Sequence, residues 1–259
     1  SGCGLMMTTR EHRAQKAEGN PNHPINKGSL CARGQASLQS LYNPHRHAHP
    51  LLDGKKVSWQ TGLNKFNEIL KKSPGGIVFL GKRSTGSEGR FIDEWLKIVG
   101  GGSRINFEMI SLDSQIEANK IAFETADIAD YAFEKAGIVL NFGTDFLGNW
   151  GSSVENSRRF AEMHAFKDGS KGQLVHISPQ VSLSGAKADR WIKINPGTEG
   201  LVALAIANVL RHKKRNFPFL EDYLESYTPE KVFEATGVPV NTINKLVSDI
   251  SDNGPLLAL

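Results

Sequence analysis

The sequence predicts an α/β fold: a mainly parallel, doubly wound sheet preceded by a small irregular segment. Three observations predict it. From Ser58 onward, short apolar runs alternate with amphipathic stretches of helical length, and strands alternating with helices pair in parallel and are covered on both faces. The runs at 77–80, 138–142, 174–177 and 191–194 are almost continuously apolar, as buried parallel strands are. Residues 1–54, by contrast, are rich in Gly, Pro, Asn, His and Arg and show little sustained periodicity. Such a segment lacks a core of its own and needs a metal, a cofactor or a neighbouring surface to order it. The expected domains are therefore 1–54 and 55–259.

Taken in order, Gly19-Asn20-Pro21-Asn22-His23-Pro24 is a string of turn residues, and 35–42 suits a short helix. Ser58 caps a helix with Trp59, Leu63, Phe66, Ile69 and Leu70 on one face, ended by Pro74-Gly75-Gly76. After the strand at 77–80 come a polar glycine loop over 81–89, a helix over 90–99 and another over 113–123. The strand at 138–142 runs straight into Gly143-Thr144-Asp145, followed by a helix over 153–166 and the strands at 174–177 and 191–194. Pro196-Gly197-Thr198-Glu199-Gly200 opens the most apolar helix, which extends through Leu210, and 219–251 hold two or three more. Pro255 to Leu259 reads as a buried strand just beginning after the turn Asp252-Asn253-Gly254. With the abrupt opening at Ser1-Gly2-Cys3-Gly4, this predicts an incomplete fragment of a larger fold.

Composition narrows the function classes. A chain of 259 residues with 39% hydrophobic and 22% charged residues has the make-up of a globular protein, not a disordered or fibrous one. The formal net charge of +4 is mild and dispersed. Only Arg211, Lys213, Lys214 and Arg215 cluster, and they follow an apolar helix whose negative end they would offset, so no nucleic-acid partner is expected. No stretch of 18 or more apolar residues is present.

Cys3 and Cys31 are the only cysteines, and two thiols alone complete neither a four-iron cluster nor a structural zinc site. Free thiols, a disulfide and part of a metal site all remain open on this spacing. His45, His47 and His49 alternate, a pattern for a transition-metal site in an extended strand. No carboxylate or Cys stands close by, which favours a solvated loop. The glycine loop over 81–89 carries Lys82 and Arg83 and could hold a phosphate, although it lacks the Gly-Lys-[Ser/Thr] ending of a P-loop. No G-x-S-x-G element supports hydrolase chemistry.

The residues around the two cysteines carry more. Cys3-Gly4-Leu5 together with the run from Glu18-Gly19-Asn20-Pro21 to Gly28-Ser29-Leu30-Cys31-Ala32-Arg33-Gly34 resembles the N-terminal cluster segment of the molybdopterin oxidoreductase family. The resemblance implies that Cys3 is the third ligand and Cys31 the fourth of a [4Fe-4S] cluster whose first two ligands lie upstream. It places Arg33 where the family has a cation between cluster and pterin. It extends along the chain: Gly143, Thr144 and Asp145, then Ser178 and Gln180, then Gly197, Thr198 and Glu199 match the loops that cradle a molybdopterin guanine dinucleotide. Glycine loops at strand ends and helix N-termini suit phosphates on general grounds too.

Two departures stand out. The nucleotide loop usually reads Asp-Pro-Arg and here reads Ser178-Pro179-Gln180, without the carboxylate for guanine or the guanidinium for phosphate. The stretch 100–112, where the family's metal ligand is expected, contains no Cys and offers only Ser103, Glu108 and Ser111. Tyr42-Asn43-Pro44, Asn106-Phe107-Glu108 and Met163-His164-Ala165-Phe166 resemble one subset, the large iron–sulfur subunits of quinone-linked complexes such as alternative complex III and the related periplasmic quinone reductase complex. That resemblance implies an electron-transfer and scaffold subunit without molybdenum. It would sit at the periplasmic face, held to the membrane by iron–sulfur, cytochrome c and quinone-binding partner subunits. The alternative is an active molybdenum or tungsten bis-pterin oxidoreductase.

Overall fold

The computed structural model describes residues 2–84, 86–212 and 220–259. β1 (Leu5–Arg10) and β2 (Arg13–Gly19) form an antiparallel ribbon that turns at Glu11 and His12, both with positive φ. The segment expected to be irregular is thus partly a ribbon. Almost all of its residues are exposed, so no apolar alternation marks it in the sequence. Two short helices, α1 (Ala32–Gln35) and α2 (Ser37–Tyr42), stand where one over 35–42 is expected. β3 (Leu51–Leu52) and β4 (Lys55–Lys56) pair across Asp53-Gly54, whose positive φ values suit a tight hairpin.

By internal contacts the chain divides into two units, Ser1–Gln39 with Asp130–Leu259, and Ser40–Ala129. The expected boundary at 54/55 falls inside the second. That unit holds α3 (Trp59–Lys72), β5 (Ile77–Gly81), α4 (Ser87–Ile98), β6 (Gly102–Asn106) and α5 (Asp113–Phe123). Ser58 caps α3 as expected, its Oγ accepting the Thr61 amide at 3.1 Å. β6 escapes sequence reasoning because Gly102-Ser103-Arg104-Ile105-Asn106 carries a single large apolar side chain. It pairs in parallel with β5. The run at 77–80, expected to be buried, is so on neither face: Val78 and Leu80 stay 59% and 67% exposed, and Ile77 and Phe79 are half-buried. A two-stranded sheet has too little cover to bury both sides of a strand.

The larger unit continues through a 3₁₀ turn (Phe133–Lys135), β7 (Ile138–Asn141), α6 (Ser153–His164), β8 (Gln173–Ile177), α7 (Leu183–Ala186), β9 (Arg190–Ile192) and α8 (Glu199–His212). It ends with α9 (Glu221–Leu224), α10 (Pro229–Thr236), α11 (Val240–Asn253) and β10 (Leu256–Ala258). Its four strands are all parallel, in the order β10-β7-β8-β9. Period-two alternation divides their side chains between two cores. Ile138, Leu140, Val175 and Ile177 face α8, α10 and α11, whereas Val139 and Leu174 face an aromatic cluster of Phe133, Phe146 and Phe160. Both faces are covered, as the predicted fold class requires. Arg211 lies in the last turn of α8 and donates to the Glu221 carbonyl at 2.8 Å; Lys213, Lys214 and Arg215 lie outside the described residues.

Candidate functional site

The cysteine loop is organised by one fully buried amide. Asn26 accepts the Gly4 amide at 2.9 Å and donates to the Gly4 and Ser29 carbonyls at 3.1 and 2.8 Å. It thereby ties the residue after Cys3 to the turn that leads into Cys31. Gly4 must be glycine, because a Cβ there would lie 2.6 Å from the His23 ring. Gly28, at φ +87°, makes the turn back toward Cys31. Cys31 precedes α1, its carbonyl accepting the Gln35 amide. Its thiol pKa is lowered, chiefly by the Gly34 backbone and with help from the Arg33 charge, against the effect of burial.

Cys3, Cys31 and Arg33 line one cavity of about 580 Å³, opposite Gly148, Asn149 and Leu183. Two half-buried thiols, one of them with a lowered pKa, suit two corners of a cluster, and each would bind one iron. When bound, the cluster supplies one-electron transfer, and a nearby arginine favours its more negative reduced state. Among the described residues no group of three or more His, Cys, Asp or Glu gathers to hold a metal. His45, His47 and His49 lie on an exposed loop. Glu108 accepts from Arg83 Nε at 3.2 Å, and Ser111 Oγ accepts the Asp113 amide at 3.1 Å, so both are engaged within their own unit, and Ser103 lies on β6 across from Val78. In the loop over 81–89, Arg83 also pairs with Asp113, and Thr85 lies outside the described residues.

The crevice at the C-terminal ends of the strands forms from three loops. Asn141, the last residue of β7, closes the first turn: its side chain accepts the Thr144 amide at 2.8 Å and donates to the Thr144 carbonyl at 2.7 Å. Gly143 follows at φ +83°, and the position of a Cβ there would be 4.0 Å from both Ser178 Oγ and Glu199 Cγ. Gly143, Ser178 and Glu199 are thus brought together. Asp145 turns away from that point, its Oδ1 accepting the Ser184 amide and hydroxyl at 3.0 and 2.8 Å. Ser178 is only 3% exposed and accepts the Gln180 amide, while Gln180 itself is exposed. Gly197 has open space around it, and Thr198 Oγ1 donates to the Asn195 carbonyl before α8 begins at Glu199. The loop after β7 joins the two sites, with Gly143 in the crevice and Leu147, Gly148, Asn149 and Gly151 on the cysteine cavity.

These loops suit a nucleotide in backbone shape but not in charge. Among the eight loop residues matched by the resemblance the only charges are the carboxylates of Asp145 and Glu199, so phosphate oxygens would find glycine amides and no guanidinium. Sequence reasoning missed Asn26, Asn141, Ser184 and His176. The first two had a signal, since Asn in a glycine-rich turn favours side-chain-to-backbone bonding. The other two had none.

The architecture is thus an α/β domain whose strand-end crevice is joined, through the loop after β7, to a cavity lined by two cysteines. Residues 1–43 match the family model described as the molybdopterin oxidoreductase Fe4S4 domain, a segment that holds a 4Fe–4S cluster. The chain is 28% identical to the menaquinone reductase, molybdopterin-binding-like subunit of Nitratidesulfovibrio vulgaris, over 97% of its own length and 38% of that protein. It is 24% identical to the arsenate respiratory reductase molybdopterin-containing subunit of a Shewanella species, over 98% of its length and 35% of that protein. In fold it resembles acetylene hydratase from Pelobacter acetylenicus, with a TM-score of 0.75 at 17% identity, covering 99% of this chain and 38% of that one. Over nearly its whole length the chain is thus similar to subunits of molybdopterin oxidoreductases, and its N-terminal residues match their Fe4S4 domain. It spans between a third and two fifths of the length of these relatives.

Proposed function

We propose that the chain is part of an electron-transfer and scaffold subunit of a quinone-linked respiratory complex, built on a molybdoenzyme-type domain that carries no molybdenum. The observation that carries this reading is the neutral pair Ser178 and Gln180 where a carboxylate and a guanidinium would meet the cofactor. Each lost charge-assisted partner costs about 1.5–3 kcal/mol, and two together about two to four decades of affinity. The absence of any thiol between 100 and 112 supports it, as does the relative named a molybdopterin-binding-like subunit of a menaquinone reductase. On this reading Cys3, Cys31 and Arg33 serve the cluster, and the partners are iron–sulfur, cytochrome c and quinone-binding subunits at the periplasmic face.

Elemental analysis of the full-length protein from its native source tests this. Iron without molybdenum or tungsten is expected, and either metal near stoichiometry overturns the reading in favour of an active bis-pterin oxidoreductase. For the 259 residues alone, reconstitution should give fewer than the four irons of a complete cluster, because two thiolates are available. Iron and labile sulfide content measure this directly.

A further inference from the structure

His176 is the most unusual buried group in the molecule. It is the fourth residue of β8 and has no exposed surface, and neither of its ring nitrogens has a hydrogen-bond partner. A buried polar group left unpaired is costly, so most are paired. Its neighbours across the sheet are Asn141 on β7 and Trp191 on β9. Over the ring lies Gly185 of α7, so close that a Cβ there would stand 2.6 Å from Cδ2 and 2.9 Å from Nε2. The residue beside it, Ser184, makes both bonds to Asp145 and a third to the Leu147 amide at 3.0 Å. The imidazole is therefore sealed in by the contact that joins the loop after β7 to the loop after β8.

We propose that His176 is a proton-sensitive latch: while neutral it lets the two loops close over it, and on protonation it parts them at the Ser184–Asp145 contact. A charged imidazolium cannot be solvated in its closed position, so the protein takes up that proton by opening α7. Asp145 is the charged group that acts on the ring; β7 presents Asn141, β9 Trp191 and α7 Gly185, all uncharged. Burial lowers the His176 pKa first of all, outweighing the Asp145 charge and the Gln180 backbone, which lies near the ring but outside hydrogen-bonding geometry. A folded pKa below the unfolded one means that the closed state is fully favoured above the ordinary histidine range and is weakened as pH falls through it. The inference does not depend on what the crevice holds, since the latch acts on its walls.

The test is amide hydrogen exchange of the 183–186 segment, corrected for intrinsic rates, in the wild type and in His176→Val. At about pH 5.5, one unit below the ordinary histidine value, wild-type opening should rise about tenfold over its value at neutral pH, and the variant should show no such rise. An equal acid response in both proteins, or none in the wild type, overturns the latch. Should the variant not fold, exchange of the imidazole C2 hydrogen in the wild type decides. Slow exchange with a depressed titration point supports the proposal, and fast exchange with an ordinary titration point rejects it.

Discussion

At the scale of single residues, two side chains carry more than their type suggests. Asn26 bonds three backbone groups from a fully buried position, and without it the Gly4 amide loses its partner while the Gly4 carbonyl keeps only the Asn20 amide. Asn26→Ala should cost about 1–3 kcal/mol, the penalty for stranding buried polar groups, and should speed alkylation of Cys3 and Cys31. Urea unfolding and thiol-modification rates measure the two effects. At the far end of the sheet, Asp189 accepts the Leu174 amide at 2.8 Å and pairs with Lys171 and with His164 Nε2. Burial alone would raise its pKa, but these partners outweigh it and hold the carboxylate below the usual range. A depressed carboxylate pKa contributes stability above the unfolded value, and that stability is lost as pH falls through the folded one. The wild type should therefore lose stability more steeply than Asp189→Asn as pH drops below about 4, which acid titration of the unfolding midpoint will show.

At the scale of elements, the parallel sheet is held by two cores of different character. One is aliphatic and lies under α8 and α11. The other is aromatic, with Phe146 packed 4.7 Å from Phe133 and 5.6 Å from Phe160 between ring centroids. Phe146 belongs to the loop that carries Asp145 toward α7 and Leu147 toward the cysteine cavity, so its burial anchors both sites. Truncating such a side chain leaves a cavity and costs about 3–5 kcal/mol. Phe146→Ala should lower the unfolding free energy by that amount and broaden the exchange of Ser184 with solvent, as thermal and hydrogen-exchange measurements would show.

At the scale of the whole molecule, the two units differ in how much they bury. Among the described residues between 40 and 129, only Ile92 and Leu96 are buried large apolar side chains, whereas the other unit holds the two cores. Trp59, Leu63, Phe66 and Ile69, which share the apolar face of α3, are all about half exposed or more. A unit with so little buried area cannot offset its chain entropy. Residues 40–129 expressed alone should therefore show no cooperative thermal transition, and a sharp calorimetric peak would refute this.

The sequence by itself determined the fold class, the approximate limits of most helices, the cap at Ser58 and the resemblance to molybdopterin oxidoreductases. Each of these is written in local pattern: apolar runs of strand length, helical periodicity, and a cysteine–glycine motif that chemistry constrains residue by residue. The resemblance also marked Gly143, Ser178 and Glu199 as residues of the crevice loops. Only the tertiary structure decided that these three meet at one point, that Asp145 is engaged by Ser184 instead of facing the crevice, and that Val78 and Leu80 are left exposed. Burial and cross-loop hydrogen bonds depend on partners far away in sequence. For that reason His176, one imidazole in an otherwise ordinary apolar strand, gives no local sign that it lies sealed beneath α7.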